Sequence, residues 1–180
     1  MTAVASQPRI LIAGIGNIFL GDDAFGVEVV RQLRKEPLPR GVDAIDFGIR
    51  GFDLACAILD GYDAVILVDA TARGQQPGTL CVLEPDLEPL APDQTEPVVE
   101  GHSLTPASVL RWVKALGGPL PYLRIVGCEP AAIGSLDAPL GALSPPVAAA
   151  VDPAVRLIRS LVEEIAAEAL VSPRVADGRE

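Results

Sequence analysis

The sequence predicts an α/β fold: a three-layer sandwich with a twisted, mostly parallel sheet of about five strands and helices on both faces. Three observations carry that expectation. Short apolar runs alternate along the chain with segments of helical periodicity. One run, AVILV at 64–68, is apolar at every position, as a strand covered on both faces must be. The chain has 180 residues, 49% of them hydrophobic, with a mean hydropathy of +0.37, enough for one sizeable core. Only 4% are aromatic, so aliphatic side chains and alanine must fill that core.

The elements follow in order. Residues 9–14, RILIAG, read as a buried first strand. Residues 23–35 read as a helix, with Phe25, Val29 and Leu33 on one face and Glu28, Arg31, Gln32 and Lys35 off it. After PLPRG, residues 42–48 make a second strand, and 51–61 a short helix closed by Gly61. The third strand, 63–70, is the central one. A fourth, 78–85, follows with no room for a helix and is the candidate antiparallel member. Residues 85–101 hold proline and acid without a basic residue and predict a mobile loop. A helix over 104–116 has Pro106 near its start. A fifth strand spans 122–130. Residues 144–170 are helical, with a kink or break expected at Asp152-Pro153. Residues 1–170 are expected to form a single domain and 171–180 a frayed tail.

Composition excludes several function classes. A formal net charge of −10 disfavours nucleic acid and anionic membrane surfaces, both gripped by clustered cations. No apolar run is long enough to span a bilayer, and the first strand lacks the flanks of a signal peptide. Cys56, Cys81 and Cys128 form no CxxC pair, which suggests reduced thiols, small core residues and a cytoplasmic protein.

In a parallel sheet the strands share one carboxyl edge, where ligands bind. Here the first strand is followed by GIGNIFLGDDAFG, with Asp22 and Asp23, the second ends in Asp46, the third in Asp69 and the fifth in Cys128-Glu129. The single histidine, His102, sits at the end of the acidic 85–101 loop, just before the 104–116 helix. Each residue taken alone has an ordinary explanation. Asp22 suits a helix cap, Asp23 can complement the helix dipole, and Asp46 can bond its own loop. Asp69, ending a central strand, needs a partner. Several carboxylates converging on one cleft repel one another unless a cation joins them, so two acids and one imidazole make a plausible divalent site.

Three rivals stand beside that reading. A dinucleotide-binding domain needs a third glycine where Phe19 stands, and Asp22 and Asp23 would repel a pyrophosphate. A thiol hydrolase would use Cys128 and His102, but Glu129 works against a reactive thiolate. A non-enzymatic acidic assembly chaperone would use the 85–101 loop as its contact.

The motifs ILIAGIGNIFLGDDAFGVEVV, DFGIRGFDLACAILDGYDAVILVDA and GHSLTPASVLRWVKALGG…RIVGCEP, in that order, resemble the hydrogenase maturation proteases over about residues 9–170. The resemblance implies an endopeptidase that removes the C-terminal extension of a nickel–iron hydrogenase large-subunit precursor after nickel insertion. It implies that Asp23, Asp69 and His102 bind a divalent metal, either the nickel of the precursor or zinc, with no nucleotide. Asp23 stands six positions after Asn17, where the family often has Glu. Asp46, Gly48 and Gly51 match a loop implicated in substrate recognition, which adds Asp46 to the catalytic set. Asp22, Asp46 and Glu129 are the candidate bases. The expected partner is the large-subunit precursor, met by a monomer.

Overall fold

The computed structural model describes residues 7–85 and 105–171. Along them run β1 (Ile10–Ile15), a 3-10 turn (Asp22–Ala24), α1 (Phe25–Leu33), β2 (Val42–Gly48), α2 (Gly51–Leu59), β3 (Ala64–Ala70), β4 (Leu80–Leu83), α3 (Pro106–Ala115), β5 (Tyr122–Cys128) and α4 (Pro145–Val171). The strands form one sheet in the order β2-β1-β3-β5-β4. Four are parallel; β4 runs antiparallel to β5, with Leu80 opposite Cys128 and Leu83 opposite Ile125. The connection 71–79 is too short for a helical crossover, so the chain reverses and lands on the far side of β5.

Strand alternation divides the core in two. Ile10, Ile12, Ile66, Val68 and Val126 pack under α1 and α4. Leu11, Ala13, Val65, Leu67 and Ile125 pack under α2 and α3. The three-layer sandwich is therefore as the sequence predicts, and Phe25, Val29 and Leu33 are each fully buried on the sheet-facing side of α1. Thr105 and Ser108 close a capping box at the start of α3, with Pro106 in its first turn.

Three expectations are corrected. The first helix does not start at 23: a 3-10 turn precedes it, and α1 proper begins at Phe25. Asp152-Pro153 does not divide the last helix; α4 runs unbroken through Pro153. A helix-interior proline costs about 3 kcal/mol, and the continuous buried face of Ala150, Ala154, Ile158 and Ile165 on either side of it offsets that cost. Of the cysteines only Cys128 is a core residue: Cys56 is exposed and Cys81 half-buried. No helix among the described residues is long and apolar enough to cross a membrane. The loop expected over 85–101, apart from residue 85, and the tail from 172 onward lie outside the described residues.

Candidate active site

Because four strands are parallel, the turns after β1, β2, β3 and β5 gather at one edge of the sheet. The glycines after β1 are there for close backbone approach. Gly16 has φ +131°, and a Cβ on it would lie 1.7 Å from the Asp23 carbonyl oxygen. A Cβ on Gly26 would lie 2.0 Å from the Val68 carbonyl oxygen and 2.4 Å from that of Ile15. The start of α1 is thus pressed onto the ends of β1 and β3. The Asn17 N–H, which a phosphate loop would offer to its ligand, instead donates to Asp23 Oδ2 at 2.7 Å. The turn satisfies an anion of its own chain.

Asp69 ends β3 beside this turn, and is 8% exposed. Its carboxyl is pushed up to about 7, first by burial and then by the charge of Asp23, against the pull of the Ala70 N–H. Asp23 and Asp69 are therefore brought together. Asp46 stands at the same edge, paired with Gly14 across β1, while Gly14 pairs in turn with Val68. Two strand spacings, roughly 10 Å, separate its backbone from β3. A bulge between Asp46 and Gly48 and the donation of the Arg50 guanidinium to the Asp46 carbonyl shape this loop.

Asp22 is not a cap; no side-chain bond caps the 3-10 turn or α1. It is completely buried, and its carboxylate accepts from the N–H groups of Ala131 (2.7 Å), Ala132 (2.9 Å) and Ser144 (2.6 Å) and from the Ser144 hydroxyl (2.9 Å). Burial alone would raise its pKa; the bonds from Ala132, Ser144 and Ala131 outweigh it and hold the carboxyl below its ordinary value. Glu129 is engaged in the same way. Its oxygens accept from the N–H groups of Arg73 (2.7 Å) and Gly74 (3.1 Å). Burial pushes upward, but these bonds, one from Gln75 and the Arg73 charge bring it below the usual range. Both acids are loop clamps of low basicity. Cys128 is fully buried, and burial, then Asp22, Cys81 and Glu129, push its thiol up to about 12, opposite to what a nucleophile needs.

The carboxyl edge carries one arrangement the sequence did not reveal. Residues 131–144 fold back on the turn after β1, pairing Leu20 with Leu140 and Gly21 with Ile133. Gly21 N–H donates to Leu140 (2.7 Å), Leu140 N–H to Phe19 (3.0 Å) and Gly134 N–H to Leu20 (3.1 Å). Bridges one residue long leave no periodicity to read.

A family model described as Hydrogenase maturation protease (HycI) matches residues 27–161. The hydrogenase expression/formation protein HupD of Rhizobium leguminosarum is 34% identical over 158 residues, spanning 85% of this chain and 75% of that protein. The chain belongs to the hydrogenase maturation protease family. The hydrogenase 2 maturation protease of Escherichia coli is 32% identical over 94% of this chain and 99% of its own length. The solved structure of the hydrogenase maturating endopeptidase HybD from E. coli superposes with a TM-score of 0.68 at 32% identity, covering 87% of this chain and 93% of that one. As a member of this family the chain is a protease, and the dinucleotide-binding and chaperone alternatives fall away.

For a maturation protease, the donor chemistry of the edge fits a divalent cation. A buried acid beside a like charge carries an electrostatic cost that a cation between them removes. Among the described residues no group of three or more His, Cys, Asp or Glu side chains is assembled for a metal. The expected third donor, His102, lies outside them.

Proposed function

We propose that this protease removes the C-terminal extension of a nickel–iron hydrogenase large-subunit precursor after nickel insertion, and that Asp23, Asp69 and His102 form its divalent-metal contact. The observation that carries the reading is the Asp23–Asp69 pair, two carboxylates juxtaposed at the carboxyl edge, with one of them buried and destabilised by the other. In this reading the nickel arrives with the substrate. Asp69 holds a proton part of the time near neutral pH and gives it up when the precursor presents its cation. Asp46, near the end of β2, would hold the polypeptide. Zinc held by the same three side chains would instead supply a Lewis acid for the scissile carbonyl.

A polypeptide substrate also suits the surface around the pair. Phe19 after β1, Ile49 and Phe52 after β2, and Ile133 and Leu136 after β5 are exposed at 49% or more, all on loops or first turns of this edge. Large apolar side chains collected in this way mark an interaction surface.

The deciding experiment mixes the purified protein with nickel-loaded and nickel-free precursor and follows the C-terminal extension by mass. The expected result is cleavage of the loaded form only, by an enzyme that binds free nickel or zinc weakly. Stoichiometric, tightly held zinc together with efficient cutting of the nickel-free form would overturn the nickel reading in favour of an ordinary zinc peptidase.

A further inference from the structure

We propose that Asp22 is a positioning residue, whose buried carboxylate locks residues 131–144 onto the turn after β1 and thereby fixes Asp23 beside Asp69 before substrate arrives. The inference rests on the reading of Asp23 and Asp69 as the working pair.

The connectivity supports it. All four bonds accepted by Asp22 come from Ala131, Ala132 and Ser144, more than a hundred residues further along the chain. Ser144 sits at the threshold of α4, where its carbonyl accepts the first helical bond from Ala148 at 2.8 Å. Its hydroxyl, which a helix start would ordinarily use as a cap, is turned to Asp22 at 2.9 Å instead. Asp22 is therefore tied to the start of a 27-residue helix packed on the sheet. On its other side it is bonded through the backbone to Asp23. Asp23 is bracketed in turn by the Asn17 N–H on its carboxylate and by Gly16 against its carbonyl. The Asp22 N–H completes the lock by donating to the Ala132 carbonyl at 3.2 Å. A carboxylate with four donors converging on it cannot be replaced by a carboxamide without setting an NH2 group against an N–H donor.

The test compares Asp22→Asn, Ser144→Ala and the double variant in cleavage of the nickel-loaded precursor, each assayed well below its melting midpoint. Ile158→Val, a core change in α4 away from the edge, is the control for lost stability alone. The expected result for Asp22→Asn is a fall in kcat of about tenfold or more with KM within about twofold, the mark of misplaced machinery and not of lost binding. Ser144→Ala should lower kcat by a smaller factor. The double variant should be no worse than Asp22→Asn, because both changes break one linkage. Hydrogen exchange should quicken together in residues 17–24 and 131–144. A folded Asp22→Asn with kcat within about twofold of the parent, or a loss no larger than that of the control, would overturn the proposal. Should Asp22→Asn not fold, Ser144→Ala decides: unchanged kcat with unchanged exchange at 17–24 refutes the clamp. Asp23→Ala, run alongside, separates the two ideas, since full activity there would sink the working pair itself.

Discussion

Asp69 places a titratable group in the core side of the edge, and its cost can be followed with pH. Its folded value is about 7 against an ordinary 3.8, so between those values the folded protein holds a proton that the unfolded chain releases. Stability through this group therefore falls as pH rises from about 4 to 7 and is level above, a span worth about 4 kcal/mol. Asp22 and Glu129 act in the opposite sense: their carboxyls are held below the ordinary values, so their contribution is present above those values and is lost on acidification. Asp69→Asn removes the first effect and leaves the other two. The variant should be more stable than the parent at pH 8, with the gap closing toward pH 4, as read from denaturant midpoints at several pH values. It should also fail to process the precursor. A variant no more stable than the parent at pH 8 would mean that Asp69 is not a buried charge there. Cys128 gives a second residue-level expectation. With its thiol buried and pushed up to about 12, Cys128→Ser should retain activity, and iodoacetamide should inhibit poorly. Inactivation in step with modification of Cys128 alone would refute this.

At the scale of elements, the contact of α1 with the sheet is set by Gly26. An added methyl would meet two strand carbonyls at 2.0 and 2.4 Å, both backbone atoms that cannot step aside. Gly26→Ala should cost about 3 kcal/mol or more in urea unfolding, at the upper end of overpacking effects. Gly141→Ala, with nothing within 4 Å of its added carbon, should be near neutral. Equal, small effects at both positions would deny the close approach. Pro153 works in the other direction. Pro153→Ala restores a backbone donor within α4 and should raise stability by roughly 1–3 kcal/mol, measured in the same way. The elements themselves were legible because their periods are local. The unbroken apolar run at 64–68 and the i, i+4 spacing of Phe25, Val29 and Leu33 are fixed by neighbours in sequence. What the sequence could not show depends on distant partners. Asp22 looked like a cap because a cap is the local use of an aspartate before a helix, whereas its donors lie at 131, 132 and 144. Pro153 looked like a break because the buried face that carries α4 through it is a tertiary feature. The gathering of Asp22, Asp23, Asp46, Asp69 and Glu129 at one edge was readable because parallel strands deliver their ends there, whereas the choice of Asp23 and Asp69 among them came from the family resemblance.

For the molecule as a whole, the acidic balance and the apolar edge divide the work of recognition. A net charge of −10 does not of itself select a partner. The large exposed apolar side chains on the loops of the carboxyl edge are a different signal, because they cost solubility and, in the proposed reading, stand at the edge where the polypeptide would be cut. Phe19 and Leu136 are 64% and 68% exposed, one on each of the two loops that Asp22 joins. If these side chains bind the precursor in the ground state and the transition state alike, trimming them removes uniform binding and leaves the chemistry intact. Phe19→Ser with Leu136→Ser should then raise KM for the precursor by about tenfold with kcat within about twofold, and little change in the melting midpoint, since neither side chain is in the core. Leu116→Ser provides the comparison. That residue is 52% exposed but follows α3, at the opposite end of the sheet from the turns after β1 and β5, and its loss should leave KM unchanged. Steady-state cleavage of nickel-loaded precursor by the three proteins measures all of this. An unaltered KM in the double variant, or an equal rise in Leu116→Ser, would show that the apolar edge does not meet the substrate.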